Sequence, residues 1–208
     1  MTITVFGATG MVGKQFVREA LIMGHRVKAY GRNVFTTDFP KNENLEVFPG
    51  TLFDEDQVFK AIKDSDAVVS VVGGSIDGLD KTRSLGMKNI VKQMEKAGVK
   101  RIISLGGKGI LDSEEGLLME QPDYPREFLE VGKEHYSAFE HLEKSGLQFT
   151  MIGSPDIVDG PPTGIFHTAA NVPPQPDNNR IFSGDLGLFI LQELKNGNFI
   201  RQRVGISN

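Results

Sequence analysis

A glycine-rich segment near the start of the chain constrains the fold more than any other feature. It reads Gly7-Ala-Thr-Gly-Met-Val-Gly13 and stands between an apolar run, residues 3–6, and a stretch of helical period formed by Val12, Phe16, Ala20 and Met23. Such a turn lets pyrophosphate oxygens approach backbone N–H groups at a helix N-terminus, where a β-carbon would obstruct them and the helix dipole favours negative charge. The segment therefore predicts a strand–turn–helix unit that binds a dinucleotide.

The glycine spacing is three and three, whereas the usual dehydrogenase fingerprint has two and three. Gly10 and Gly13 are predicted to open the backbone to the ligand. The same glycines also allow an interpretation without a ligand, in which Gly7 makes a tight turn and Gly13 permits close helix–strand packing. The position of the turn after a strand and before a helix favours the dinucleotide.

Short β-branched runs alternate with amphipathic stretches along the rest of the chain, which predicts repeated βαβ units around a parallel sheet. We expect six strands, at residues 3–6, 26–30, 45–48, 67–72, 101–105 and 147–152. Helices are expected from Val12, after a cap at Asp54, and at residues 82–97, 131–145 and 185–194, the last capped by Asp185. The prediction is a Rossmann-type doubly wound α/β fold, one domain over residues 1–208.

Two segments fall outside this alternation. Residues 112–130 are acidic and contain Pro122 and Pro125, which predicts a loop that could act as a lid. Residues 153–180 carry six of the ten prolines and are expected to form an irregular segment covering the site.

Composition excludes several classes of protein. Lys and Arg number 23 against 27 Asp and Glu, so no basic excess points to nucleic acid. The chain has no cysteine, which removes thiol nucleophiles and disulfides, and its four histidines show no metal spacing, so we predict no metal. Neither a signal peptide nor a membrane span is apparent, and a cytoplasmic protein is expected.

The end of the second predicted strand bears on the choice of cofactor. A carboxylate there would bind the ribose 2′-hydroxyl of NAD and repel a 2′-phosphate, but the chain reads Tyr30-Gly-Arg-Asn33. Arg32 can give charge-assisted hydrogen bonds to a phosphate, so NADP(H) is favoured. The alternative is an ordinary solvated arginine.

Eight short pieces distributed over nearly the whole chain resemble the atypical short-chain dehydrogenase/reductases, and among them the biliverdin-IX-beta reductase (flavin reductase) and NmrA-like groups. The pieces are Phe6-Gly-Ala-Thr-Gly10, Tyr30-Gly-Arg32, Asp66-Ala-Val68, Lys88-Asn-Ile-Val91, Ser145-Gly-Leu147, Pro155-Asp-Ile157, Pro162-Thr-Gly164 and Ser183-Gly-Asp-Leu-Gly187. The resemblance is specific for fold and less specific for chemistry, because the group includes reductases, epimerase-like enzymes and proteins that bind NADP(H) without reacting it.

The resemblance implies a role for each matching position. It puts the pyrophosphate on Thr9, Gly10, Met11 and Val12, and the 2′-phosphate on Arg32. Adenine would lie beside Thr51 and Leu52, although the family usually has Gly-Asp where this chain has Gly50-Thr51. The remaining implied contacts are Val72, Gly73 and Gly74 along the cofactor ribose, and Ser154, Pro155 and Ile157 at the nicotinamide.

The chain departs from the family at the catalytic positions. Short-chain dehydrogenases use a serine and a Tyr-x-x-x-Lys pair for proton transfer. Here Tyr136 is followed four residues later by Glu140, and the serine of the fifth strand is replaced by Gly107, with Ser104 three residues earlier. A flavin or quinone can take its proton from water, so the departure favours reduction of such a planar acceptor over carbonyl or sugar chemistry.

Three side chains are candidates for work on the acceptor. His135 and Tyr136 begin a predicted helix near the expected nicotinamide and could orient or protonate the acceptor. Their alternative is a surface histidine and a packing tyrosine. Lys108, in the glycine-rich Gly106-Gly-Lys-Gly109 segment, could pair with an anionic substrate or the pyrophosphate, or be solvated.

Two further functions stay open. A redox sensor of NmrA-like type would bind NADP(H) without turnover, which the missing catalytic set allows. A nucleotide-sugar epimerase or dehydratase is disfavoured, since it would need the Tyr-x-x-x-Lys pair and a larger C-terminal substrate region.

Overall fold

The main sheet has eight strands, in the order β10-β12-β8-β5-β4-β1-β2-β3, and all neighbours are parallel except β10 and β12. The computed structural model describes residues 1–75 and 79–208. Its strands are β1 (Thr2–Phe6), β2 (Arg26–Gly31), β3 (Leu45–Pro49), β4 (Ala67–Ser70), β5 (Arg101–Gly107), β6 (Asp112–Ser113), β7 (Gly116–Leu117), β8 (Gln148–Ser154), β9 (Asp156–Val158), β10 (His167–Ala170), β11 (Arg180–Phe182) and β12 (Gln202–Ser207).

Helices cover both faces of this sheet. They are α1 (Met11–Ile22), α2 (Glu55–Ile62), α3 (Thr82–Ala97), α4 (Leu129–Glu143) and α5 (Ser183–Asn196). One buried apolar cluster lies under α1 and α5, and a second lies under α2, α3 and α4. The predicted Rossmann-type α/β fold is confirmed, with apolar strands packed on both sides as a parallel sheet requires.

Local signals explain where several elements begin and end. Asp54 caps α2 as predicted, because its Oδ1 accepts a hydrogen bond from the Gln57 N–H at 3.0 Å. Gly24, with φ of 78°, follows α1, and Gly98, with φ of 73°, ends α3. These positive φ values suit glycine, which is why both glycines mark the helix ends in the sequence.

The six predicted strands are all present, but the count was incomplete, because the sheet has two more strands at one edge. β12 adds to β8, and β10 pairs antiparallel with β12. The sequence of β12, Gln-Arg-Val-Gly-Ile-Ser, has polar ends and a central glycine, which weaken any strand signal. Gly205 is required there, since a β-carbon would lie 2.3 Å from the Val172 carbonyl oxygen of the covering segment.

Asp185 is not a helix cap, which corrects the sequence prediction. It lies in the first turn of α5, after Phe182 at the N-cap, and is fully buried. Its carboxylate accepts hydrogen bonds from Thr163 N, Thr163 Oγ1, Gly164 N and Asn208 Nδ2 at 2.7–2.8 Å. Asp185 therefore ties the covering segment and the C-terminus to α5.

The two segments outside the alternation contain short elements. Residues 112–130 hold the β6–β7 hairpin and single 3₁₀ turns, and residues 153–180 contain β9 and β10. Closure of 112–130 as a lid stays a prediction. Within the part of the chain that the structure describes, no helix combines the length and apolarity needed to span a bilayer.

The connections place a crevice at the carboxyl ends of β1 and β4. From β1 the chain moves outward through β2 to β3, and then crosses back to β4 on the other side of β1. The connection that follows β1 therefore runs to one side of the sheet, and the connection that follows β4 runs to the other. Ligands of open α/β sheets bind at such a point.

Candidate functional site

Three adjoining cavities form one cleft along the carboxyl edge of the sheet. Cavity A, about 200 Å³, lies between the glycine turn and the end of β2; cavity B, about 420 Å³, lies over the ends of β4, β5 and β8. Cavity C, about 340 Å³, lies between the end of β5, the start of α4 and residues 118–128. A and B share Gly10, Val71, Val72 and Gly73, whereas B and C share Gly107, Val131, His135, Ser154, Pro155 and Asp156.

The three glycines of the first turn serve different purposes. Gly7 has φ of 82°, and a β-carbon there would lie 2.5 Å from the Val71 carbonyl oxygen. A β-carbon on Gly13 would lie 2.2 Å from the Gly7 carbonyl oxygen, so both glycines are required by packing within the protein. A β-carbon on Gly10 would meet only the Gly7 oxygen at 3.4 Å, which leaves Gly10 without a strong internal requirement.

Gly10 instead lines both A and B, where it exposes the start of α1. This helix has Gly10 as N-cap and no capping side chain, and its next two residues, Met11 and Val12, line cavity B. The first N–H groups of a helix have no intrahelical acceptor and face negative groups favourably. The turn thus fits a pyrophosphate at the junction of A and B.

The end of cavity A beside β2 has the features of an adenosine site. Arg32 is exposed there, and within residues 1–75 and 79–208 its guanidinium makes no hydrogen bond or ion pair. Thr9, Thr51 and Leu52 also line this cavity. The Tyr30 hydroxyl donates to the Thr51 carbonyl at 2.8 Å, and burial raises the Tyr30 pKa to about 12, so this donor stays protonated.

Two of the three residues predicted along the cofactor ribose reach the cleft. Val72 and Gly73 line both A and B, whereas Gly74 is not among the lining residues of A, B or C. The Gly74 carbonyl instead accepts a hydrogen bond from Arg83 Nη2 at 2.9 Å. Gly74 therefore helps to hold an arginine on the wall of cavity B.

Arg83 is a site residue that the sequence did not single out. It lies in the first turn of α3, is 9% exposed, and also donates from Nη1 to the Ser75 carbonyl at 2.8 Å. Its Nε is buried and has no hydrogen-bond partner in the part of the chain described. An arginine in a helical first turn gives no sequence signal, because only the tertiary fold turns it towards the cleft.

His135 stands on the wall shared by cavities B and C. Burial lowers its pKa to about 3, and the positive charge of Arg83 adds to this effect while Glu134 opposes it. Neither ring nitrogen makes a hydrogen bond to any described residue. His135 is therefore a neutral imidazole that can donate one N–H to a bound molecule.

The two other candidates for work on the acceptor are placed differently. Tyr136 lines neither B nor C and packs against Phe139, with ring centroids 5.8 Å apart, so the geometry puts it outside the cleft. Lys108 lines cavity C, where its Nζ bonds to Asp177 Oδ2 at 2.6 Å and Asn179 Oδ1 at 2.9 Å. Its charge is paired with the covering segment.

The nicotinamide end and cavity C complete the cleft. Ser154, Pro155 and Ile157 line cavity B, and Ser154 and Pro155 continue into C. Cavity C adds apolar and aromatic side chains that the sequence did not single out, from Leu118, Tyr124, Pro125 and Phe128. The two aromatic residues of the otherwise acidic segment 112–130 are the sequence signal for this wall, and the expectation of a lid does not use them.

Comparison with known proteins agrees with this geometry. A model of the family described as NAD(P)H-binding matches residues 7–197. The uncharacterized protein YwnB of Bacillus subtilis is 25% identical over 94% of this chain and 92% of its own. The photosystem II assembly factor Ycf39 of Synechocystis is 23% identical over 83% of this chain, which spans only 53% of Ycf39.

Solved structures share the fold over the whole chain. A candidate NADH-flavin reductase of Streptococcus pneumoniae is 25% identical, with a TM-score of 0.84 and coverage of 100% of this chain and 99% of its own. A candidate epimerase of Bacteroides thetaiotaomicron is also 25% identical, with a TM-score of 0.87 and coverage of 99% and 96%. Since one fold supports these different assignments, the chemistry must be argued from the cleft.

Proposed function

Because the chain belongs to the NAD(P)H-binding family, whose model spans residues 7–197, we propose that it is a reductase that transfers hydride from NADPH to a small planar acceptor, a flavin or a quinone. The observation that carries the proposal is the wall shared by cavities B and C. A cofactor that extends from A into B ends at His135, Ser154 and Pro155, and these residues also line C. The two reactants would therefore meet at this wall.

The residues for holding the cofactor are divided between A and B. Gly10, Met11 and Val12 offer helix N–H groups to the pyrophosphate, and the unpaired Arg32 suits a 2′-phosphate, which supports NADPH over NADH. Thr51 and Leu52 would contact adenine, and Ile157 the nicotinamide. When bound, the reduced nicotinamide supplies the hydride.

Cavity C has the shape and lining for a planar ring. Its volume of about 340 Å³ is at the small end of ligand sites, which run from roughly 300 to 1,000 Å³. Tyr124, Phe128 and Pro155 supply flat apolar surface, and Val131 lies between B and C. Such a wall holds a ring by stacking and excludes water from its face.

The proton chemistry of the cleft suits an acceptor that needs little acid catalysis. Tyr136 is outside the cleft and Lys108 is paired with Asp177, while neutral His135 can donate a hydrogen bond to a carbonyl oxygen or ring nitrogen of the acceptor. The hydride brings the acceptor two electrons and one proton, and the second proton comes from water. His135 would stabilise the negative charge that develops before this proton arrives.

The redox-sensor hypothesis is the second candidate, and the same placement of Tyr136 and Lys108 favours it. With Tyr136 outside the cleft and Lys108 paired, the described residues supply no Tyr-x-x-x-Lys acid to the cleft, and cofactor binding without turnover would leave cavity C as the place where a partner senses the nicotinamide. A sensor requires different affinities for NADPH and NADP⁺. The sugar epimerase hypothesis is not supported, because Tyr136 is followed by Glu140 in place of the family lysine, and Lys108, the lysine that lines C, is paired with Asp177.

The test is NADPH oxidation followed at 340 nm with riboflavin and menadione as acceptors. Phe128→Ala removes one of the aromatic side chains that line cavity C. It should lower kcat/KM for the acceptor and leave the affinity for NADPH unchanged. Phe35→Ala is the matched control, because Phe35 is exposed and lines none of the three cavities. No turnover with any acceptor would reject the reductase, and unequal affinities for NADPH and NADP⁺ would then support the sensor.

A further inference from the structure

The positive charge on the wall of cavity C is already bound within the protein. Among the described residues that line this cavity, Lys108 is the only lysine or arginine. Its Nζ lies 2.6 Å from Asp177 Oδ2 and 2.9 Å from Asn179 Oδ1, and both partners of the ion pair are largely buried, with side chains 26% and 17% exposed. An anionic substrate would have to break this pair before it could use the lysine.

Two carboxylates of the same cavity lack such partners. Asp123 and Asp156 line C, and neither side chain makes a hydrogen bond or an ion pair with any residue the structure describes. Arg126 and Arg180 do not line C, and Arg180, the register partner of Asp156 on the neighbouring strand β11, makes no ion pair with it in the described structure. With the Lys108 charge cancelled by Asp177, the wall presents two negative charges to an incoming molecule.

No other described residue that lines C carries a charge that offsets the two carboxylates, and Arg83, the cation of the adjoining cavity B, donates to the carbonyls of Gly74 and Ser75. His135 is neutral because burial lowers its pKa to about 3, and the remaining surface is largely apolar and aromatic. Exposed charges act over about 10 Å at 0.1 M ionic strength, a distance comparable to the width of a cavity of this size. A phosphate or carboxylate on the acceptor would therefore be repelled at the mouth of C as well as inside it.

We infer that cavity C selects uncharged planar acceptors over anionic ones, so that the substrate class is an uncharged quinone or a flavin without phosphate. This inference rests on the proposed reductase function. It discriminates among molecules of the same ring chemistry. Riboflavin and FMN share one isoalloxazine ring and differ by a phosphate, so they isolate the effect of charge.

The experiment measures kcat/KM for riboflavin and FMN with saturating NADPH at low and high ionic strength. We expect riboflavin to be favoured roughly three- to fivefold at low salt, the range given by one or two partly exposed like-charge interactions, with the difference shrinking at high salt. Menadione and a naphthoquinone sulfonate provide a second pair. Equal values for riboflavin and FMN, or preference for FMN, would overturn the inference while leaving the reductase intact.

Variants assign the selectivity to particular charges. Asp123→Asn combined with Asp156→Asn removes the two unpaired carboxylates, and Asp177→Asn frees the charge of Lys108; each should raise the FMN-to-riboflavin ratio of kcat/KM about threefold. Glu95→Gln removes an exposed carboxylate from the far end of α3 and should leave the ratio unchanged. If the ratio stays unchanged both in the Asp123→Asn/Asp156→Asn variant and in Asp177→Asn, wall charge does not set the preference. If the unmodified protein turns over none of the acceptors, the proposed reductase function itself is rejected.

Discussion

The imidazole of His135 packs directly against the backbone of Gly107. A β-carbon on Gly107 would lie 3.1 Å from His135 Cδ2 and 3.5 Å from Nε2. The first distance is shorter than an ordinary van der Waals contact. Gly107 stands at the end of β5, at the position where the short-chain dehydrogenases have their serine. The ring of His135 lies next to this position, where a serine side chain would point. The missing side chain and the position of the histidine are two parts of one arrangement.

Gly107→Ala should therefore displace the His135 ring by a few tenths of an ångström. Since φ at Gly107 is −94°, alanine is tolerated by the backbone, and the stability cost should be below about 1 kcal/mol. If the neutral imidazole bonds to the acceptor, kcat/KM should fall roughly fivefold, the value of one neutral hydrogen bond. Gly146→Ala, where a β-carbon meets nothing within 4 Å, is the control. An unaltered rate in Gly107→Ala would argue against the role of His135.

The depressed pKa of His135 links stability to pH. An unfolded histidine takes up a proton near pH 6.5, whereas His135 in the folded protein does so only near pH 3, because it is buried. Between these values the unfolded state binds more protons, so the free energy of unfolding should fall as pH drops, by at most about 1.4 kcal/mol per pH unit from this group. Urea titrations at pH 7, 6 and 5 give the free energy of unfolding at each pH. This free energy should depend less steeply on pH in His135→Asn than in the unmodified protein. Identical slopes would contradict the assigned burial.

Arg32 should decide the affinity for the 2′-phosphate. Arg32→Gln removes a charge-assisted interaction of about 1.4 kcal/mol, so the Kd for NADPH should rise roughly tenfold. The Kd for NADH should change little, because its ribose carries a hydroxyl at that position. Arg18→Gln, at an exposed arginine of α1 outside the cleft, serves as the control in the same calorimetric titrations. Equal losses for both cofactors would place Arg32 elsewhere than the 2′-phosphate.

Asp185 should prove essential for anchoring the covering segment. In Asp185→Asn the amide nitrogen cannot accept hydrogen bonds, so donors from Thr163 or Asn208 lose their partner in a buried site. We expect a loss of about 2 to 4 kcal/mol in the free energy of unfolding, measured with urea, and faster proteolysis in residues 153–180. Asp56→Asn, an exposed position in the first turn of α2, should cost only a few tenths of a kcal/mol. Comparable losses in the two variants would refute the anchoring role.

The sequence by itself determined the features that depend on neighbouring residues. The glycine turn, the six adjoining strands from β8 to β3, the range of α3 and the cap at Asp54 all follow from patterns within a few positions, because strand alternation, helical period and caps are local interactions. The wider resemblance to NAD(P)H-binding proteins followed from the same short pieces. Their order along the chain was enough to predict six of the eight strands of the sheet and the carboxyl edge at which the cleft lies.

Only the tertiary structure decided which side chains share the cleft. His135 and Tyr136 are adjacent in sequence, yet one lines cavities B and C and the other packs on the core, a choice set by the rotation of α4 against β5. Lys108 meets Asp177 across 69 residues, and Arg83 reaches cavity B from the first turn of α3, where the carbonyls of Gly74 and Ser75 hold its guanidinium. Asp185 gathers donors more than 20 residues away. These contacts depend on the packing of distant segments, which no local pattern encodes.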